Sequence, residues 1–186
     1  LRGVNFRAAR LNKAKFSLAK LDGAIFDQVW AIGSDFSGAS LKGASLFASQ
    51  MHQSKFDGAD LSGTRITADF SRASLRGASF SGADLAADMK NQSMGLMRAV
   101  LRSADASGAS FEGANLTRAD LQFANLSNAN FTGARLEGAE CAGADLRGAI
   151  LDGANLKDVD IASARIDAAR ERAFLPAKNL SRAFKE

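Results

Sequence analysis

Few side chains in this chain have the types and spacing that chemistry needs. His52 is the only histidine, and its neighbours are Met51, Gln53 and Ser54. A nucleophile–base pair or a metal cluster would have to form around it with no second histidine and no paired cysteine. Cys141 is the only cysteine and occupies a position that reads as core, so it is expected to be a buried, inert thiol. The Asp residues recur at one repeat position rather than as facing pairs, unlike the couples that run acid–base chemistry. GxxxxG spacings occur throughout, but no Gly-Lys-Ser or Gly-Lys-Thr follows them, so a phosphate loop is not indicated. The residues predict no enzyme, no metal and no cofactor.

The chain carries a period instead. From Leu101 to Leu156 it reads LRSADASGASFEGANLTRADLQFANLSNANFTGARLEGAECAGADLRGAILDGANL. Every fifth residue is Leu or Phe, apart from Ala106 and Cys141, with Ala two places before and often Gly two places after. A helix repeats at 3.6 and a strand at 2, so a period of five fits neither. It suits a coil that turns a corner every five residues. One large and one small inward side chain per five can fill a narrow square shaft. Of the 17 glycines, all but Gly95 fall at the corner position, where freedom in φ is useful. The centres run at fives from Leu1 to Ile66, then at Phe70, Leu75, Phe80 and Leu85 after one step of four. A looser segment, AADMKNQSMGLMRAV, follows, and the period resumes through Leu96 and Leu101 to Ile166.

This pattern resembles the pentapeptide-repeat family, whose unit is A(D/N)LXX, over most of the chain. The resemblance implies an all-β solenoid, a right-handed quadrilateral β-helix with four repeats per coil. About eight coils would make a rod on the order of 40 Å long. The expected division is a β-helix over residues 1–166, with an irregular coil near 86–97, and a helical cap over 167–186. In that tail one helix is expected near 168–174 and a second near 177–184, separated by Pro176. Phe174, Leu175, Leu180 and Phe184 would form an apolar face that caps the last coil or joins two copies into a homodimer. In the topoisomerase-binding members of the family, the C-terminal module does both.

The best-known members imitate duplex DNA, bind gyrase and protect it from quinolones, which requires a strongly negative stripe. Here 24 basic residues oppose 20 acidic ones, for a net charge of +4. Outward residues can be assigned to four sides by counting repeats, with the irregular segment given a side of its own. Three sides then balance. The fourth is mildly basic, with Lys15, Lys55, Arg76, Arg98, Arg118, Arg135 and Lys157 against Asp35, Asp57, Glu137 and Asp158. No side is acidic. The expected function is therefore a non-enzymatic scaffold or adaptor that binds a protein partner through a flat side. The alternative is a DNA-mimicking regulator of gyrase that confers quinolone protection. Nucleic acid is not the expected partner, because the cations are spread out and no exposed aromatic interleaves with them.

The contact candidates are departures from the repeat. Trp30, Ile32, Phe47 and His52 form the first group, and Met89, Met94 and Met97 the second. Trp30 either stands out as a partner anchor or folds back over the small centre Ala31. The methionines are either an adaptable surface or gap fillers in an irregular coil. No apolar run approaches the length of a membrane-spanning helix, so no span is expected and cytoplasm is the default compartment.

Overall fold

The computed structural model describes residues 1–89 and 97–186. The chain winds as a stack of parallel rungs in which Asn5 pairs with Ile25, Arg10 with Trp30, Lys15 with Asp35 and Lys20 with Ser40. Pairing at a distance of 20 residues means four pentapeptides per coil. The four sides are identified below by their first fully paired centres: the Phe6, Leu11, Phe16 and Leu21 sides. On the Phe16 side, Lys15, Asp35, Lys55, Ser74, Asp105, Asn125, Asp145 and Arg165 follow one another as eight rungs.

Hydrogen bonding explains the five-residue unit position by position. The N–H of each centre bonds up to the next coil (Phe16 to Asp35 O, 2.7 Å), and so does the N–H two places on (Leu18 to Ser37 O, 2.9 Å). The N–H just before the centre bonds down (Asp35 to Ala14 O, 2.9 Å). The N–H three places after the centre closes a β-turn onto the centre's own carbonyl (Ala39 to Phe36 O, 3.0 Å). One N–H per repeat is left without a backbone acceptor, the one just after the centre. At 13 rungs among the described residues an Asp or Asn just before the centre accepts it, as Asp35 does from Ser37 (2.9 Å), Asn130 from Thr132 (2.9 Å) and Asp120 from Gln122 (3.1 Å). Eight of the 20 acids are thus part of the corner, where short polar side chains bond their own backbone.

The third residue of each turn lies in the left-handed region. Gly63 has φ +64° there, and non-glycine residues such as Gln53 (+59°), Phe123 (+58°) and Asn128 (+58°) adopt the same conformation. A β-turn with positive φ at its third residue is of type II, the site where glycine is least strained.

Inside, the centres stack in register with the rungs. Phe16, Phe36 and Phe56 form one column, with ring centroids 4.9 and 4.7 Å apart. Phe80, Phe111 and Phe131 form another on the Leu21 side, each pair 5.0 Å apart. Alanines fill the corners. Where a hydroxyl replaces one, it bonds a buried carbonyl, as Ser34 does to Leu11 O (2.5 Å) and Thr64 to Leu61 O (2.6 Å).

Two irregularities alter the winding. At the four-residue step, strand β2 (Arg65–Asp69) runs without a left-handed corner and pairs in parallel with β1 (Ser45–Gln50). The register shifts between Phe47 and Gln50, so β1 carries the surplus residue as a bulge around Ala48. Later, rungs that paired residues 20 apart pair them 31 apart: Asp69 with Val100, Ser74 with Asp105, Ser79 with Ser110 and Asp84 with Asn115. The eleven additional residues thus lie between Leu85 and Leu101, where Asp88 pairs antiparallel with Met97.

This corrects the side count made from the sequence. Leu101 continues the Leu11 side, and the irregular segment adds no further side. Arg118, Arg135, Lys157, Glu137 and Asp158 consequently belong to the Phe6 side, opposite Lys15, Lys55, Arg76, Asp35 and Asp57 on the Phe16 side. The mildly basic side does not exist, and on every side the described acids and bases balance to within one charge.

The tail is corrected as well. A 3-10 helix covers Ala168–Phe174, but the second helical turn is limited to Leu180–Arg182. Lys178 pairs with Asp160, and strand β4 (Phe184–Lys185) pairs in parallel with β3 (Arg165–Ile166). The last coil leaves a bare ladder edge, and backbone pairing with it outcompetes local helix propensity.

The stacked aromatic columns give a stability prediction. Phe111 is fully buried between Phe80 and Phe131. Phe111→Ala is expected to cost about 3–5 kcal/mol in urea unfolding. A cost below about 1 kcal/mol would mean that the shaft collapses around the gap.

Candidate functional site

The departures from the repeat gather on the Leu11 side. Its outward residues, rising coil by coil, are Arg10, Trp30, Gln50, Asp69, Val100, Asp120, Glu140 and Asp160, joined rung to rung in two ladders linked by the Trp30–Gln50 and β1–β2 pairing. Beside them, just after the centres, lie Asn12, Ile32, His52, Ser71, Arg102 and Gln122, and at the corner Lys13, Gln53 and Arg72. Trp30, Ile32 and His52 are thus on one side in successive coils. Phe47 belongs to the neighbouring Phe6 side, half-buried, with its N–H held by Asp27 at 3.2 Å.

Trp30 is 53% exposed, while Ala31 behind it is fully buried. The outward orientation removes from this position the short acceptor that normally serves the corner. The N–H of Ile32 donates instead to Asn12 Oδ1 of the coil below, at 2.9 Å. His52 is half-buried and its Nδ1 is buried without a hydrogen-bond partner among the described residues. A notch of about 320 Å³ opens next to it, lined by His52, Gln53, Asp69, Ser71, Arg72, Arg102 and Ser103.

Higher on the same side, Asp120, Glu140 and Asp160 stack on adjacent rungs. Arg98, where the inserted segment rejoins the rod, reaches over them. Its guanidinium donates to Glu140 at 2.6 and 3.0 Å and to Asp120 at 3.3 Å, and its side chain is only 15% exposed. Arg102 donates to Asp120 at 2.8 Å, Gln122 to Glu140 at 2.6 Å, and Asn179 of the tail to Asp160 at 2.8 Å. The Arg98 hydrogen bonds hold the Glu140 carboxyl below its ordinary range, against the opposing effect of burial.

The remaining candidates are dispersed. Met89 is exposed, with Arg118 Nη1 at 3.4 Å from its sulfur; Met97 is half-buried at the base of the insert; Met94 lies outside the described residues. The four apolar tail residues do not share a face. Phe174 is buried and Leu180 packs against the core, whereas Leu175 and Phe184 face outward. Cys141 is buried, and that burial, with Asp160, Asp120 and Glu140 nearby, pushes its thiol up to about 12. No group of three or more His, Cys, Asp or Glu that could hold a metal occurs among the described residues. No helix among them is long and apolar enough to cross a membrane.

Sequence reasoning missed Arg10, Lys13 and Arg72 as neighbours of Trp30, and Arg98 as the clamp on the acidic rungs. The first three were within reach of a count by twenties and nineteens from Trp30. Arg98 was not, because its place depends on where the insert rejoins the ladder.

A family model for pentapeptide repeats matches residues 1–38, 31–63, 68–86, 96–133 and 129–166, and the chain belongs to the pentapeptide-repeat family. Among solved structures it is similar to a trypsin-treated form of QnrB1, a plasmid-mediated fluoroquinolone resistance protein, with 19% identity and a TM-score of 0.58; 88% of this chain and 82% of that one are covered. A second trypsin-treated QnrB1 gives 19% identity and a TM-score of 0.55, covering 88% and 80%. HetL, a pentapeptide-repeat protein involved in heterocyst differentiation regulation in the cyanobacterium Nostoc sp. strain PCC 7120, is 27% identical over 88% of this chain and 85% of its own, with a TM-score of 0.30. A search of curated proteins finds no match. Family and fold likeness together imply a right-handed quadrilateral β-helix.

The Arg98 clamp has a pH signature. A carboxylate whose folded pKa is depressed contributes stability above its unfolded value, and that contribution is lost as pH falls through the folded value. Arg98→Ala is expected to cost roughly 1–3 kcal/mol at neutral pH. The gap from the parent chain should narrow as pH drops below about 4. Urea unfolding at several pH values checks this, and an unchanged gap at the acid end contradicts it.

Proposed function

We propose that the protein is a non-enzymatic scaffold or adaptor that binds a protein partner through the Leu11 side of its β-helix. Trp30 is the observation that carries this reading. The ladder does not need an indole there, since Asn12 serves the corner in its place, and yet the one tryptophan stands out from the rod, where the other exposed large apolar side chains of the coils include Leu18, Phe123 and Ile150. An exposed Trp on a rigid frame is the usual form of an interface anchor. A rigid frame also lowers the ordering cost of association. Ile32, His52 and Phe47 would surround the anchor, with Met89 and Met97 as a separate contact.

In this reading the stack is a rod of about eight coils and the tail serves as its cap. Phe174 and Leu180 face the last coil. Leu175 and Phe184 remain available to a second copy.

The alternative, a DNA-mimicking regulator of gyrase that confers quinolone protection, draws on the fold likeness to QnrB1. Balanced charge on every side weighs against it, because mimicry of duplex DNA needs a sustained negative stripe. One comparison separates the two readings. The chain and its Trp30→Ala variant are each used to capture partners from a cell extract and to protect gyrase supercoiling from ciprofloxacin. Under the scaffold reading, a captured protein is lost with Trp30→Ala and gyrase is unaffected. Partner capture that is identical for both variants overturns the assignment to Trp30. Gyrase protection by both variants would establish the alternative.

A further inference from the structure

The Leu11 side is balanced in total but not along its length. Below the insert it presents Arg10, Lys13 and Arg72, none of which has an ion-pair partner among the described residues, and Asp69 is the one carboxylate on this half. Above the insert it presents Asp120, Glu140 and Asp160, with Arg98 and Arg102 already paired to the first two. A side-by-side count cancels these two halves and hides the division. The lower half also holds the exposed indole, with Arg10 on the rung below Trp30.

We propose that this lower half is a docking surface for an acidic polypeptide segment carrying an apolar side chain. The inference rests on the Leu11 side being the partner-binding side, and adds the chemistry of the partner. Trp30 and Ile32 take the apolar side chain. Arg10 and Lys13 face carboxylates on one flank. On the other flank, the notch beside His52 admits a carboxylate to Arg72. Arg102 closes the upper edge of that notch but is already engaged by Asp120, and Asp69 lies within it with one oxygen accepting the Ser71 N–H at 2.8 Å. The cation free to serve an incoming anion there is thus Arg72.

A peptide fits these observations better than a nucleic acid. Three unpaired cations over a few rungs suit a short acidic stretch. A phosphate backbone following the rod would run from them to Asp120, Glu140 and Asp160, where Arg98 and Arg102 are already engaged by carboxylates and offer it no free cation.

Trp30 is the only tryptophan, so its emission reports on the site directly. The probes are synthetic peptides of about eight residues, long enough to span roughly 25 Å when extended. One has a central Leu among Glu residues, one replaces each Glu with Gln, and one replaces each Glu with Lys. A single-stranded DNA oligomer of matched charge is the fourth. The acidic peptide should shift Trp30 emission saturably and bind about tenfold more tightly than the Gln peptide, the scale of three exposed charge pairs together. Added salt should erase that difference.

The variant Arg10→Glu, Lys13→Glu, Arg72→Glu should lose the acidic peptide and gain the Lys peptide. That gain would also show that the variant is folded. DNA binding as tight as the acidic peptide overturns the proposal. So does equal binding of the acidic and Gln peptides, which leaves the docking side itself intact. If no peptide perturbs Trp30, both the proposal and the assignment of this side fall.

Discussion

Everything in this molecule depends on where one backbone N–H goes. In each pentapeptide, four of the five N–H groups are taken up by the coil above, the coil below or the turn. The fifth, just after the centre, must find a side chain. An Asp or Asn just before the centre supplies the acceptor, and a left-handed residue two places after the centre turns the corner. Where both devices operate, the outward positions have little freedom, and a rung without a short acceptor can draw one from the coil below, as at Phe47 and Arg76. Trp30 stands on such a rung, and Asn12 reaches up from the coil below to do the missing work.

The ladder also determines how irregularities are absorbed. A missing residue at Ile66–Phe70 removes a corner and is matched by a bulge in the coil beneath. Eleven extra residues lie between Leu85 and Leu101, and the rung that follows them takes its ordinary place on the Leu11 side. The rod continues on the same four sides in both cases. Each coil touches only its neighbours, so a local insertion need not propagate. At the point of return Arg98 spans two acidic rungs, so the re-entry of the insert and the neutralisation of stacked carboxylates are one device.

The period, its corners and its inward residues were legible in the sequence because burial and positive φ both act every five residues. The first tail helix was legible in its place, from Ala168 to Phe174, since nothing competes for that segment. The second was not, because Lys178 and Phe184 are drawn onto the open edge of the last coil. The division of charge on the Leu11 side was not legible either. No residue type between Leu85 and Leu101 signals how many sides the chain spends there, and giving the segment a side of its own moved every later residue to the wrong face. The shared side of Trp30, Ile32 and His52 was legible because they lie below that point, where counting by twenties holds.

The register across the insert is the claim on which the side assignments rest, and a cross-link tests it most directly. Ser74 and Asp105 occupy adjacent rungs of the Phe16 side. In a Cys141→Ala background, the pair Ser74→Cys and Asp105→Cys should close a disulfide under mild oxidation, since neighbouring rungs lie within the roughly 4.4–6.8 Å that the bond requires. Mass spectrometry of a digest should recover the two peptides joined. Two free thiols in a folded chain would mean that Asp105 is on another side, and the polarised face that contains Trp30 would have to be redrawn.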